Sequence, residues 1–187
     1  LAQHYSKFGP PSVPLWANLG KSKRTELEDA PSDYAASMSR LWDFCDVFVL
    51  SLLYRPRKEI PVECFGSLYK HPFGNAAGLD KRAEALRGWD AIGLSFIEIG
   101  GVTEHEQGGN PKPRMFRATS SRALVNRMGF NNPGSKKLAA TLAQHYSKFG
   151  PPSVPLWANL GKSKRTELED APSDYAASMS RLWDFCD

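Results

Sequence analysis

His71-Pro72-Phe73-Gly74-Asn75-Ala76-Ala77-Gly78-Leu79-Asp80-Lys81 is a short apolar run that ends in very small residues and then in a single cation. Glycine and alanine let a flat cofactor lie against main-chain amides, because no side chain intervenes. A lysine just beyond them can place its charge over the ring edge where negative charge accumulates. The plainer alternative is a strand end with a salt-bridged lysine. Working outward, Phe73 to Ala77 reads as a first buried strand. Arg82 to Ile92 reads as a helix, with Ala85, Leu86, Trp89 and Ile92 at helical spacing and Gly93 as its stop. Ser95 to Gly100 reads as a second strand.

Upstream, Pro61 to Phe65 and Ser67 to Lys70 form a small hairpin that turns at Gly66, within about 61–70. Downstream, Thr103 to about Arg122 is irregular and holds Gly108-Gly109-Asn110-Pro111 and Lys112-Pro113; loops this long inside an α/β unit are functional or disordered. Asn132 and Pro133 open a helix through Lys148, with Leu138, Leu142 and His145 along one side. Val154 to Leu160 is a third strand. Ser173 caps a helix carrying Tyr175, Met179 and Leu182. Strands alternating with helices over short connections predict a parallel sheet, either a barrel or a doubly wound sheet.

An internal repeat distorts every composition figure. Residues 1–46 recur letter for letter as 142–187. Repeat architectures diverge at their surfaces and have shorter periods, so this is a duplicated strand–helix unit and not a solenoid. The copy carries five Lys/Arg and six Asp/Glu, so removing its −1 from the chain's +4 leaves +5 on 47–187. The charges are scattered and no basic run interleaves with aromatics, which speaks against nucleic acid as a partner. Cys45 and Cys186 are one position in two copies; neither they nor Cys64 has a partner at metal or redox spacing, which fits a reduced compartment. The longest apolar run, Val47 to Leu53 with one serine, is too short to span a bilayer. In the first copy the helix leads into Val47-Phe48-Val49-Leu50, which reads as a fourth strand.

Three segments end strands in small or polar residues: Ala76 to Lys81, Gly100 to Thr103, and Asn159 to Lys162. A fourth, Asn126 to Asn132, lies between the long loop and a helix. Strand ends that converge on one face build the site of an α/β barrel. Asparagine suits a ring bearing both N–H and C=O, since its amide offers a donor and an acceptor; Asn131 and Asn132 read instead as turn or cap residues. Gly161-Lys162-Ser163 lacks the earlier glycine of a phosphate loop, and no G-x-G-x-x-G is present. His71, His105 and His145 show no metal spacing, so no metal is expected.

Together these segments resemble dihydroorotate dehydrogenase of the quinone-using class 2. The matching motifs are HPFGNAAGLDK (71–81), FIEIGGVT (96–103), GNPKPRMFR (109–117), LVNRMGFNN (124–132) and ANLGKSK (158–164), with LYRPRKEIPVECFG (53–66) similar to the approach to the barrel. The resemblance covers about 47–187. It implies an α/β fold, a (β/α)₈ barrel of the TIM type, present here as about the first half, with FMN as cofactor. It implies oxidation of dihydroorotate to orotate in pyrimidine synthesis, with ubiquinone taking the electrons. By position, Ala76, Ala77, Gly78, Leu79, Asp80 and Asn159 would line the flavin. Lys81 would touch flavin and substrate, and Asn126, Arg127, Met128, Gly129 and Phe130 would hold the pyrimidine and its carboxylate.

The departures matter too. Gly101 stands where the family has Ser or Thr against FMN, so contact there falls to the backbone. The family's Asn-x-Ser-Ser-Pro-Asn loop, with its catalytic serine base, is replaced by Ser51-Leu52-Leu53-Tyr54-Arg55-Pro56. The later strands, the phosphate site and the membrane-docking N-terminal helices are not among these residues. The class implies a peripheral place on an inner membrane, bacterial or mitochondrial, although the chain shows no targeting or transmembrane segment. Copy 142–187 is expected to occupy its native place, and copy 1–46 to pack elsewhere or swap into another molecule. Two other readings remain: a non-catalytic piece that self-associates through exposed barrel edges, and an FMN barrel oxidoreductase for a different ring.

Overall fold

The computed structural model describes residues 59–187. The duplicate 1–46 and the expected strand Val47–Leu50 lie outside them. The order is β1 (Val62–Cys64), β2 (Ser67–Tyr69), α1 (Leu86–Ala91), β3 (Ile97–Val102), β4 (Met115–Ala118), β5 (Ala123–Asn126), α2 (Ser135–Phe149), β6 (Leu156–Leu160) and α3 (Ala171–Leu182).

β3 and β6 pair in parallel, with Ile97 opposite Leu156 and Gly100 opposite Asn159. Residues 73–78 run along the other edge of β3: Ser95 N donates to Phe73 O (2.9 Å), Glu98 N to Asn75 O (3.3 Å), and Gly78 N to Gly100 O. The expected first strand is thus only a bridge, Asn75 to Ile97, and Phe73 is 65% exposed rather than buried. The cause is Asn75, whose side chain takes over ladder bonds by donating to Glu98 O (3.1 Å) and accepting from Glu98 N (3.3 Å). Three parallel segments backed by helices form part of a (β/α)₈ barrel.

The strand pleat sends Ile97 and Ile99 to one side, where they are fully buried with Leu156, Leu138, Leu142, Leu86, Trp89 and Leu182. At the N-terminal end of the sheet, Phe96 stacks on Trp157 (centroids 4.4 Å apart), and Tyr69 meets both rings edge-on. The β1–β2 hairpin, antiparallel and turning at Gly66, brings Tyr69 and Phe65 to that cluster. It closes the end of the sheet away from the small residues.

Other expectations shift. α1 begins at Leu86 and not Arg82, because Ala83 takes a left-handed φ of 55° and the amides of Glu84 and Ala85 bond the Asp80 carboxylate. The irregular stretch contains β4, paired antiparallel with β5; neither strand buries one face, so no alternation marks them. α2 starts after Gly134, leaving Asn132 and Pro133 outside it. α3 follows Asp170 and not Ser173, and its inward stripe is Asp174, Ser178 and Leu182. Tyr175 and Met179 are 39% and 46% exposed. The helix is rotated by one position because Asp174 turns inward to accept bonds from Ser163 N (3.2 Å) and Thr166 Oγ1 (2.6 Å).

Candidate functional site

The C-terminal ends of the parallel segments carry Ala77-Gly78, Gly100-Gly101 and Asn159-Leu160-Gly161. A methyl group added to Gly78 would meet nothing within 4 Å, and one added to Gly101 would lie 3.3 Å from Asn159 Oδ1 and 3.7 Å from the Phe130 ring. The same ring stands 4.0 Å from such a methyl on Gly161. Phe130 therefore roofs a slot floored by glycines, and it is itself 65% exposed.

Neighbours in sequence part ways at Asp80 and Lys81. Asp80 is 1% exposed and faces α1, accepting from Glu84 N, Ala85 N and Trp89 Nε1 (3.0, 3.0 and 3.1 Å). Only its main chain is left for a ligand at the turn. Lys81 points the other way, its Nζ donating to Asn131 Oδ1 (2.9 Å) and Asn131 O (3.2 Å). Burial holds its ammonium pKa below the ordinary lysine value, and the nearby Arg114 cation lowers it further. Among the described residues no carboxylate forms an ion pair with Lys81. A partly buried ammonium at the edge of the slot is a setting that favours an anion or a ring gaining negative charge. Asn131, read from sequence as a turn residue, belongs to this site. Asn132 is structural: its Oδ1 accepts from Thr103 N (3.1 Å) and Gly134 N (2.9 Å) beneath the start of α2.

The 126–130 segment divides. Asn126 and Arg127 are exposed at the end of the β4–β5 hairpin, with Arg127 Nη2 donating to Pro113 O (2.9 Å). Met128 O accepts from Asn110 N (3.1 Å), and Gly129 has φ 72°, with a methyl there only 2.7 Å from Asn110. Any side chain would displace the loop that delivers Phe130 to the slot.

Sequence reasoning passed over Glu98. Its Oε2 accepts from Ala77 N (3.0 Å) and its Oε1 from Asn159 Nδ2 (3.0 Å), so one carboxylate ties the small-residue turn to β6. The signal was present: a glutamate between two isoleucines in a strand faces away from the core they enter.

The fold also gathers Glu104, His105 and Asp174, one ligand atom of each lying within 4.8 Å of the others, although the sequence shows no metal spacing. Both carboxylates already have partners: Glu104 takes Arg181 (3.3 Å) and faces His105 (3.6 Å). Burial pushes the Asp174 pKa up, but the bonds from Thr166 and Ser163 and the His105 charge outweigh it, leaving the carboxyl below its ordinary value.

The profile of the family described as dihydroorotate dehydrogenase matches residues 59–187. Among curated proteins, the chain is 46% identical over 128 residues to a dihydroorotate dehydrogenase (quinone) of Gloeobacter violaceus, covering 68% of this chain and 35% of that protein. It is 37% identical over 172 residues to one of Chloroflexus aurantiacus, covering 92% and 46%. The crystal structure of a DHODH from Eimeria tenella in complex with ferulenol superposes with a TM-score of 0.61 at 30% identity, covering 81% of this chain and 41% of that one. The chain thus spans less than half the length of these relatives. With the family profile matching more than half of its residues, the chain belongs to the dihydroorotate dehydrogenase family, a family of flavin enzymes.

Proposed function

We propose that this chain is the part of a quinone-dependent dihydroorotate dehydrogenase that seats one side of FMN and meets the dihydropyrimidine. The observation that carries the reading is Lys81, a partly buried cation without a carboxylate partner among the described residues, standing beside a glycine-floored slot. FMN held there would supply a hydride acceptor for dihydroorotate and a carrier of electrons to ubiquinone.

The residues fit such a ring. Ala76, Ala77 and Gly78 offer main chain with little side-chain bulk, Leu79 (its side chain packed against the core) and Asp80 offer main chain alone, and Asn159 offers its amide. Lys81 stabilises negative charge at the ring edge and on the substrate. Phe130 covers the slot and excludes water. Asn126, Arg127, Met128 and Gly129 approach from the rim, where orotate's ring and carboxylate would lie. The serine base that the family resemblance implies has no counterpart, so substrate oxidation by these residues alone is expected to fail. The whole protein would sit peripherally on a membrane to reach its quinone; no helix of the described residues is long and apolar enough to cross one.

Adding FMN and dihydroorotate under anaerobic conditions and following the flavin absorbance tests this reading. Flavin should bind without bleaching at an enzyme's rate. Absence of FMN binding sinks the flavin assignment, and normal turnover sinks the claim that the site is incomplete. A second reading, self-association, is favoured by β6, which pairs only with β3 among the described residues; light scattering that finds a stable monomer removes it.

A further inference from the structure

We propose that Glu98 is a positioning residue, which locks the Asn159 side chain so that its carbonyl oxygen, and not its NH₂, faces the flavin slot. The inference rests on the flavin reading above. Glu98 lies between Ile97 and Ile99, both fully buried on the helix side, so the pleat turns its carboxylate to the opposite face. Its main chain is pinned by the Asn75 side chain through bonds of 3.1 and 3.3 Å. Its two oxygens are then fixed between Ala77 N and Asn159 Nδ2, each 3.0 Å away.

A carboxylate has acceptors only, so the Asn159 atom beside it must be the NH₂. That choice settles the other half of the amide. Oδ1 stands on the open side of Gly101, 3.3 Å from where a methyl would sit, in the gap beneath Phe130. An acceptor held there suits a ring that presents an N–H, as the pyrimidine-like end of a flavin does. Without Glu98 the amide is free to rotate and show its donor to that N–H.

Glutamine at position 98 keeps the shape but supplies one acceptor and one donor, so it cannot receive both Ala77 N–H and the Asn159 NH₂. E98Q should weaken FMN binding about tenfold, the effect of one misplaced hydrogen bond, measured by quenching of flavin fluorescence. E98Q/N159D should restore affinity to within about threefold of wild type. In that double variant the aspartate accepts from the glutamine NH₂ and presents its second oxygen to the slot; a merely structural loss at position 98 would not be repaired this way. Thermal melts confirm that each variant folds. E98Q binding FMN like wild type overturns the inference, as does a loss that N159D fails to restore. A wild-type chain that binds no FMN overturns the flavin reading instead. The NMR signals of the Asn159 side-chain amide in the flavin-free protein then decide: shifted by E98Q, the locking bond stands; unmoved, it falls.

Discussion

Toward the helices, β3 and β6 present Ile97, Ile99 and Leu156, each fully buried against Leu138, Leu142 and Leu182. On the other side the same strands present Phe96, Glu98, Trp157 and Asn159, a stacked aromatic pair at one end and a polar network at the other. The first side is held by apolar area removed from water, which tolerates no missing volume. The second is held by a few directed bonds around bare glycines. If the polar face seats the flavin as proposed, stability and binding fall to opposite faces of the same strands, and substitutions on each should separate the two.

The largest effect belongs to the sealed face. Leu138→Ala should cost about 4 kcal/mol in urea unfolding, since the residue is fully buried among residues that cannot collapse onto the space. FMN affinity of the folded fraction should not change; an equal loss in both would break the division. Asp80→Ala comes next, at about 3 kcal/mol, because it strands two helix-start amides and the Trp89 indole N–H. Gly101→Ala reverses the pattern. Stability should fall by less than about 1 kcal/mol, the new methyl being 3.3 Å from Asn159 Oδ1. FMN binding should fall about tenfold as the methyl fills the slot. Equal FMN affinity of G101A and wild type would remove Gly101 from the floor.

The smallest effect is a pH dependence. Asp174 has a folded pKa below its ordinary 3.8, so its contribution to stability is present above that value and is lost as pH falls through the folded pKa. Thr166→Val deletes one donor, so acid unfolding should begin at higher pH, with about 1 kcal/mol lost near neutrality. Lys81 works at the other end of the scale. Its lowered pKa means that the charged form is disfavoured in the folded chain, so stability rises as pH climbs from the folded value toward 10.5. An anion bound in the slot should raise that pKa, which side-chain NMR can follow.

Periodicity located β3, β6 and the long helix α2 within a few residues, because each buries one apolar side. It missed β4 and β5, whose residues are exposed on both faces, and it rotated α3 by one position, since the inward place of Asp174 depends on Ser163 and Thr166 rather than on hydropathy. At the site, the small residues 76–78 and Lys81 were legible from their composition. The separation of Asp80 from Lys81 was not, because adjacent residues at a turn diverge according to which neighbours offer donors. Asn131 looked like a turn residue until the fold put Lys81 within 2.9 Å of it.

The sequence by itself determined the family, through five motifs in register, and the chemical types at the strand ends, since side-chain bulk and charge are local properties. It also determined that 142–187 exists twice. Only the tertiary structure decided which end of the Asn159 amide meets Glu98, and that Asp80 serves the start of the helix while Glu98 ties the small-residue turn to β6. These depend on pairing across β3 and β6, between residues 61 apart in the case of Glu98 and Asn159, and no local pattern records a contact at that range.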